Sequence, residues 1–405
     1  MKINEVVARS IEDSRGKPTI EVQVDAGHDV FIATVPSGAS TGVNEALELR
    51  DADGRGVLKA IENINKIIAP KLKGKDATNQ KEIDELLIAL DGTENKSKLG
   101  ANAILGVSMA VARAGAAAAK VPLYSYLAQL SGNKNKLFIP LPMFNILNGG
   151  RHAKNGLDIQ EFMIVPSKKT IAENLVLCNK IFGNLQREIE KDFDKDHLGL
   201  GDEGGFAPPI FSAEKALFLL RGASKDEGDI SFALDSAASE FYENGKYVFE
   251  GQELTRSQLI DFYKELAKEF PIISFEDPFA ENDWEGFKEF TNQMQGKIVI
   301  GDDLTTTNVK RIKEAHNKQA INGVLIKLNQ IGTVTETINA INMTKAFGWK
   351  VAVSHRSGET MDDFIADLAV GTGADFLKAG SPAKPERMIK YQRLLQIEQE
   401  LSLRK

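Results

Sequence analysis

Six short apolar runs in the chain each close on a polar or ionisable residue. They are Ile230 to Asp235, Ile272 to Glu276, Ile298 to Asp302, Gly323 to Lys327, Val351 to His355, and Asp375 to Lys378. Amphipathic stretches with helical spacing separate them, as expected of strands in a parallel β/α array. An open doubly wound sheet would give a similar rhythm. The number of repeats, each with its own functional group at the carboxyl end, favours a closed β/α barrel. Barrel enzymes place their chemistry at that end.

The run Gly323-Val324-Leu325-Ile326-Lys327-Leu328-Asn329 makes the point sharpest. Strand side chains alternate, so Leu325, Lys327 and Asn329 are expected on one face and Val324, Ile326 and Leu328 on the other. A lysine there is costly to bury unless it is neutralised, paired or reaching out to solvent. Taken alone, the run is better read as a lysine reaching out to solvent from a strand end. The other strand ends tip the balance.

A chain of 405 residues exceeds what one core usually serves, so two domains are expected. Alternation in Thr19 to Val24 and again in Val30 to Val35 is followed by helical spacing at Val57, Ile61, Ile64 and Ile68, then at Ile83, Leu86, Leu87 and Leu90. Strands followed by helices, without βα alternation, indicate a small α+β domain. The polar stretch Ser131 to Lys136 sets the boundary, giving an α+β capping domain over residues 1–133 and a catalytic barrel over 134–405.

A net charge of −7 argues against nucleic acid as the main partner. The single cysteine forms no intramolecular disulfide, which fits a reducing cytosol. Cys178 sits on the helical stripe Ile171, Leu175, Cys178, Phe182, Leu185, Ile189 and reads as core filler. Ala103 to Ala119 is short, rich in small residues and broken by Arg113, so it reads as a buried helix rather than a membrane span. The first residues, Met1 to Glu5, lack the apolar run of a signal peptide.

Asp235, Glu276 and Asp302 converge if their strands are barrel neighbours. Any one of them could simply cap a helix. Three together repel and call for a cation between them, and all-oxygen ligands suit magnesium above zinc. Lys327 and Lys378 flank them. A lysine base must be neutral, so its pKa must fall by roughly 3, about 4 kcal/mol. One positive neighbour about 6 Å away supplies roughly 3 kcal/mol of gross repulsion at an effective dielectric of 20, and a divalent ion about twice that. A metal together with a lysine neighbour therefore suffices where a lysine alone does not.

Glu203 lies in the glycine-rich turn Gly201-Asp202-Glu203-Gly204-Gly205, and Gln160-Glu161 closes the strand-like Leu157 to Glu161. Two carboxyls in one site push one toward its protonated form, which suits an acid. Ser354-His355-Arg356-Ser357-Gly358 offers a guanidinium and hydroxyls for phosphate or carboxylate. Ser37-Gly38-Ala39-Ser40-Thr41-Gly42 is small and polar, a lid or merely a flexible connection.

Taken in order, these segments resemble the enolase (phosphopyruvate hydratase) family. The resemblance runs from Ser14-Arg15-Gly16 almost to the C-terminus. It is carried by the residue 37–42 motif, Leu90-Asp91-Gly92-Thr93-Glu94-Asn95-Lys96, Asn148-Gly149-Gly150 with His152, and Gln160-Glu161-Phe162-Met163. The 201–205 turn, Phe275-Glu276-Asp277-Pro278-Phe279, Asp302-Asp303-Leu304-Thr305 and Ser354 to Thr360 complete it.

The resemblance implies an α/β fold with an eight-stranded β/α barrel, irregular at one strand, behind a smaller α+β domain. It implies reversible dehydration of 2-phosphoglycerate to phosphoenolpyruvate with two magnesium ions. By resemblance, Asp235, Glu276 and Asp302 hold the first ion, and Ser40 helps hold the second, which substrate completes. Lys327 takes the α proton and Glu203 assists hydroxide departure. Lys378 meets the substrate carboxylate, Arg356 and Ser357 the phosphate, and His152, Gln160, Glu161 and His355 complete the pocket, with Ser37, Gly38, Ala39 and Thr41 in the lid.

The family also implies a cytoplasmic homodimer or dimer-based octamer without membrane insertion. A cell-surface or secreted side population is possible by resemblance, with plasminogen or an RNA-processing complex as side partners and Lys405 as a C-terminal lysine. Lys17, Arg151 and Phe376-Leu377 depart from the usual pattern. The segment between Leu220 and Asp229 is about ten residues shorter by resemblance, which should truncate one barrel helix. The rival enzymatic reading is a barrel dehydratase of acid sugars using one metal. The rival from another class is a binding protein with an enolase-like body.

Overall fold

A computed structural model describes residues 1–38, 44–193 and 198–403. The chain opens with β1 (Ile3–Glu12), β2 (Pro18–Ala26) and β3 (Asp29–Thr34), an antiparallel sheet in sequence order. The helices α1 (Leu58–Asn63), α2 (Ala69–Leu72), α3 (Gln80–Asp91), α4 (Ala101–Ala118) and α5 (Leu123–Ser131) follow, with a π-helical turn, Ile64–Ile68, between the first two.

By length and composition α4 could cross a membrane. Instead, 83% of it is buried inside the protein. It lies on β2 and β3, and Gly106 allows the close approach, since a Cβ there would stand 2.6 Å from a Val22 methyl.

The barrel strands are β4 (Leu141–Asn148), β5 (Glu161–Pro166) and β6 (Ile230–Asp235). A small sheet, β7 (Tyr242–Glu243), β8 (Lys246–Phe249) and β9 (Gln252–Leu254), interrupts them. The barrel resumes with β10 (Ile272–Glu276), β11 (Ile298–Gly301), β12 (Gly323–Ile326), β13 (Lys350–Ser354) and β14 (Phe376–Lys378). The eight close in the order β4-β5-β6-β10-β11-β12-β13-β14, and β14 returns to β4. Around them run α6 (Ile171–Asp192), α7 (Ala213–Ser224), α8 (Arg256–Glu269), α9 (Trp284–Gln293), α10 (Val309–Lys318), α11 (Leu328–Ile331), α12 (Val334–Ala346), α13 (Phe364–Thr372) and α14 (Pro385–Ser402).

The irregular strand is β5, which pairs antiparallel with both β4 and β6. A parallel neighbour needs a helical crossover. The link from β4 to β5, residues 149–160, holds only the 3-10 turn Gly150–His152, so β5 must run back. Glu161 therefore begins its strand instead of ending one, contrary to the sequence expectation. Because the strand is reversed, its first residue still faces the active mouth: Glu161 pairs with Asn148 on one side and Asp235 on the other.

The barrel interior is filled by Met143, Met163, Val165, Ala233, Ile300, Leu325, Ala352 and Phe376. Side chains two apart on a strand share a face. Stepping two residues from this plug toward the mouth gives Asn145, Glu161, Asp235, Asp302, Lys327, Ser354 and Lys378. One register thus aims every strand-borne functional group at a single spot. The strand expected to carry Asn329 ends earlier: β12 stops at Ile326, Lys327 is its extended exit, and Asn329 sits in α11.

Helix α7 keeps 12 residues, capped by the Ser212 side chain, and residues 225–229 lead directly into β6. Cys178 is buried in α6, as its stripe indicated. The first sheet and its helices are tied to the barrel by Arg113 to Asp362 (2.8 Å) and by the buried Lys96 to Glu336 (2.9 Å).

Candidate active site

A cleft at the barrel mouth is lined by His152, Gln160, Glu161, Glu203, Asp235, Asp302, Lys327, His355, Arg356, Ser357 and Lys378. Its chemistry begins with Lys378, which ends β14 fully buried. The Nζ atom donates to Asp235 Oδ2 at 2.9 Å and to both Glu276 oxygens at 2.8 Å, and it lies 3.2 Å from Glu161 Oε1. Burial alone would favour the neutral amine, but the surrounding carboxylates hold the ammonium well above its ordinary range.

Lys327 pairs with Asp302 Oδ2 in the same way. Burial lowers its pKa, Asp302 and then Glu276 raise it, and the net shift is upward. Gln330 stands behind this pair. Its amide donates to Asp302 Oδ1 at 2.9 Å, and its carbonyl accepts from Thr307 Oγ1 at 2.8 Å. The same Thr307 oxygen accepts from the Lys327 backbone N–H at 2.9 Å, so Gln330 and Thr307 fix base and carboxylate together.

Opposite signs divide the second carboxyl pair. Burial, then the neighbouring Glu203, pushes Glu161 well above the usual carboxyl range. Glu203 is also buried, yet His355 and His152 hold it well below. Asn145 Nδ2 donates to Glu203 Oε2 at 3.0 Å, and His355 Nε2 lies 3.3 Å from the same oxygen. The proton of the pair thus belongs to Glu161. The glycines of the 201–205 turn are required by close approach: a Cβ on Gly201 would meet the His152 carbonyl oxygen at 2.6 Å, and Gly204 has φ +87°.

Carboxylates outnumber the cations that meet them. Glu276 and Asp277 are each pushed well above the usual range by burial and then by neighbouring acids, and Asp303 is pushed up to about 7 for the same reasons. Glu161 Oε2 is buried without a hydrogen-bond partner. An all-oxygen, charge-excess donor set of this kind fits a hard divalent cation. Among the described residues, two triads bring ligand atoms within 4.8 Å of one another: His152 with Glu161 and Glu203, and Asp277 with Asp302 and Asp303. Asp235 and Glu276, adjacent across the β6–β10 register, are gathered by Lys378 instead.

At the rim, Arg356 Nη1 donates to Glu45 Oε2 at 2.9 Å and to Asn329 Oδ1 at 3.0 Å, while Nη2 donates to Glu45 Oε1 at 3.3 Å. The guanidinium thus already binds a carboxylate with two nitrogens. Ser37 is fixed by paired backbone bonds with Gly358 and by its hydroxyl on Glu48, and Gly38 accepts from Arg15. Ala39, Ser40 and Thr41 lie outside the described residues, as does Lys405.

Sequence reasoning missed Glu45, Gln330, Asn145 and Arg387. Only Gln330 carried a hint, three residues beyond Lys327. Arg387 looks like a surface charge at a helix start and is fully buried instead.

Comparison with known proteins matches two family models along the chain. The model for the enolase C-terminal TIM barrel domain covers residues 136–404, and that for the enolase N-terminal domain covers 3–127. The chain belongs to the enolase family. It is 50% identical to the enolase of Methanocaldococcus jannaschii over all of this chain and 96% of that protein. It is 49% identical to the enolase of Methanococcus vannielii over the same shares, and 50% identical to that of Thermococcus gammatolerans over 99% of this chain and 95% of the relative. The enolase fold expected from the sequence, a closed eight-stranded barrel with one irregular strand behind an α+β domain, is the fold observed.

Proposed function

We propose that this enolase-family lyase interconverts 2-phosphoglycerate and phosphoenolpyruvate, with Lys327 as the base and the Glu161–Glu203 pair handling the departing hydroxide. The observation carrying this reading is the contact of Lys327 with Asp302 in a cleft shared with Lys378, the carboxyl pair and Arg356. The excess of carboxylates supports a hard divalent cation, and family resemblance supports magnesium held by Asp235, Glu276 and Asp302. Family resemblance supports a second ion with Ser40. Bound there, the cation would supply positive charge for a substrate carboxylate that becomes an enolate and would compete for the charge of Asp302. A lysine or histidine base with magnesium is the established arrangement of the superfamily.

Lys327 then removes the proton α to the carboxylate. The protonated Glu161 and the ionised Glu203 form a pair able to give a proton to the leaving hydroxyl and to receive one in reverse. His152, near both, and Gln160 shape that wall of the cleft. Lys378 faces the substrate carboxylate, and Arg356 with Ser357 the phosphate, which displaces Glu45. Burial of these groups excludes water and strengthens each charge interaction.

Gly132 ends α5 in the left-handed conformation, which supports a domain boundary between residues 133 and 134. The lone buried cysteine supports work in a reducing cytoplasm. A homodimer or dimer-based octamer follows from the family resemblance. The test is turnover of 2-phosphoglycerate with magnesium, followed by ultraviolet absorbance of the enol product, beside a panel of sugar acids. Turnover of sugar acids alone would overturn the proposal.

A further inference from the structure

Arg387 presents a buried cation that no step above uses. It lies in the first turn of α14, is 0% exposed, and has no carboxylate within 4.0 Å among the described residues. Burying a guanidinium without an ion-pair partner is costly, so its contacts must hold it in place. Those contacts are directed. Nη1 lies 2.5 Å from His355 Nδ1 and 2.5 Å from the Arg356 carbonyl oxygen, while Nη2 donates to the Ser357 carbonyl oxygen at 2.6 Å. Gly380, at φ +88°, leaves room for the stack: a Cβ there would stand 2.9 Å from Arg387 Cδ and 3.2 Å from His355 Cε1.

A guanidinium only donates. His355 Nδ1 must therefore accept, and the ring proton must sit on Nε2, because the bond made by one imidazole nitrogen sets the state of the other. We propose that Arg387 is a positioning residue that locks His355 as its neutral Nε2–H tautomer, so that the imidazole donates to Glu203. Nε2 lies 3.3 Å from Glu203 Oε2, within reach of that donation. Burial first, and Arg387 further, lowers the His355 pKa to about 4, in keeping with a neutral ring. The same guanidinium pins the carbonyls of Arg356 and Ser357. One buried side chain thereby sets the hydrogen-bond direction at Glu203 and the backbone of the anion-binding segment.

The inference rests on the proton-handling role proposed for Glu203. Its test is a multiple-bond proton–nitrogen spectrum of the full chain with 15N-histidine, with His355 assigned by its loss in His355→Gln. In the native protein His355 is expected to carry its proton on Nε2 from about pH 5 to 8. Arg387→Met is expected to give mixed tautomers and at least a roughly tenfold fall in kcat. Arg387→Lys, which keeps a donor, recovers the Nε2–H form and part of kcat. A native His355 protonated on Nδ1, or a folded Arg387→Met with native tautomer and kcat, overturns the proposal. If Arg387→Met does not fold, the native and Arg387→Lys spectra decide. A native Nε2–H signal in a protein that does not turn over 2-phosphoglycerate leaves the lock standing and removes the proposed activity.

Discussion

At the scale of single residues, the site is a problem in neutralising charge. Lys327 is held charged by Asp302, so it serves as a base only when another cation takes up that carboxylate. Lys327→Ala is expected to lower turnover of 2-phosphoglycerate by roughly 10²- to 10⁴-fold with native circular dichroism. A smaller loss moves the base elsewhere.

His355 makes a second prediction. Its pKa is about 4 in the folded protein, against about 6.5 when unfolded. The unfolded chain therefore binds more protons between these values. The stability that His355 contributes is complete above about pH 6.5 and is lost as pH falls through 4, up to about 3 kcal/mol. Urea titrations at pH 7 and pH 4.5 should show a larger drop for the native protein than for His355→Gln, and equal drops would contradict it.

The sequence carried the strand-end acids and lysines because two-residue alternation aims them. It did not carry Glu45 or Arg387. Glu45 reaches Arg356 across 311 positions, and no local pattern encodes such a contact.

At the scale of elements, the reversed strand β5 decides how the site is built. A helical link would make β5 parallel and send Glu161 to the opposite mouth. The sequence could not show this, since Leu157 to Glu161 alternates like a strand and the reversal depends on a link too short for a helix. Helix α6 was legible from its apolar stripe, whereas its start is seen in the structure. Thr170 caps it by accepting from the Glu173 N–H, while Glu173 returns a carboxylate to the Thr170 N–H. Thr170→Ala is expected to cost about 1 kcal/mol in denaturant melts, with activity unchanged under native conditions.

The segment between β3 and α1 makes a different prediction through Glu45. Its carboxylate sits on the guanidinium that the phosphate needs. Glu45→Gln is expected to tighten binding of inorganic phosphate by roughly fivefold, about 1 kcal/mol, in calorimetry. Weaker binding would make Glu45 a support for Arg356 instead of a competitor.

At the scale of the whole molecule, the fold was legible because the barrel repeats one message. Strand after strand is an apolar run with a mouth residue two positions beyond a plug residue, Glu161 on the reversed strand lying two before it, and a closed barrel is the arrangement that lets them meet. What the sequence left open is how the acids share charge, which depends on distances between strands far apart in the chain. Burial first and then neighbouring acids, Asp235 beside Glu276, Asp303 beside Asp277 and Asp302 beside Asp303, push these three carboxyls up, and that crowding of acids is the central reason for a cation at this mouth. The most direct test is conversion of 2-phosphoglycerate after exhaustive chelation and again after adding back magnesium. The account requires turnover to vanish on chelation and to return with magnesium, and undiminished turnover in the chelated protein would contradict it.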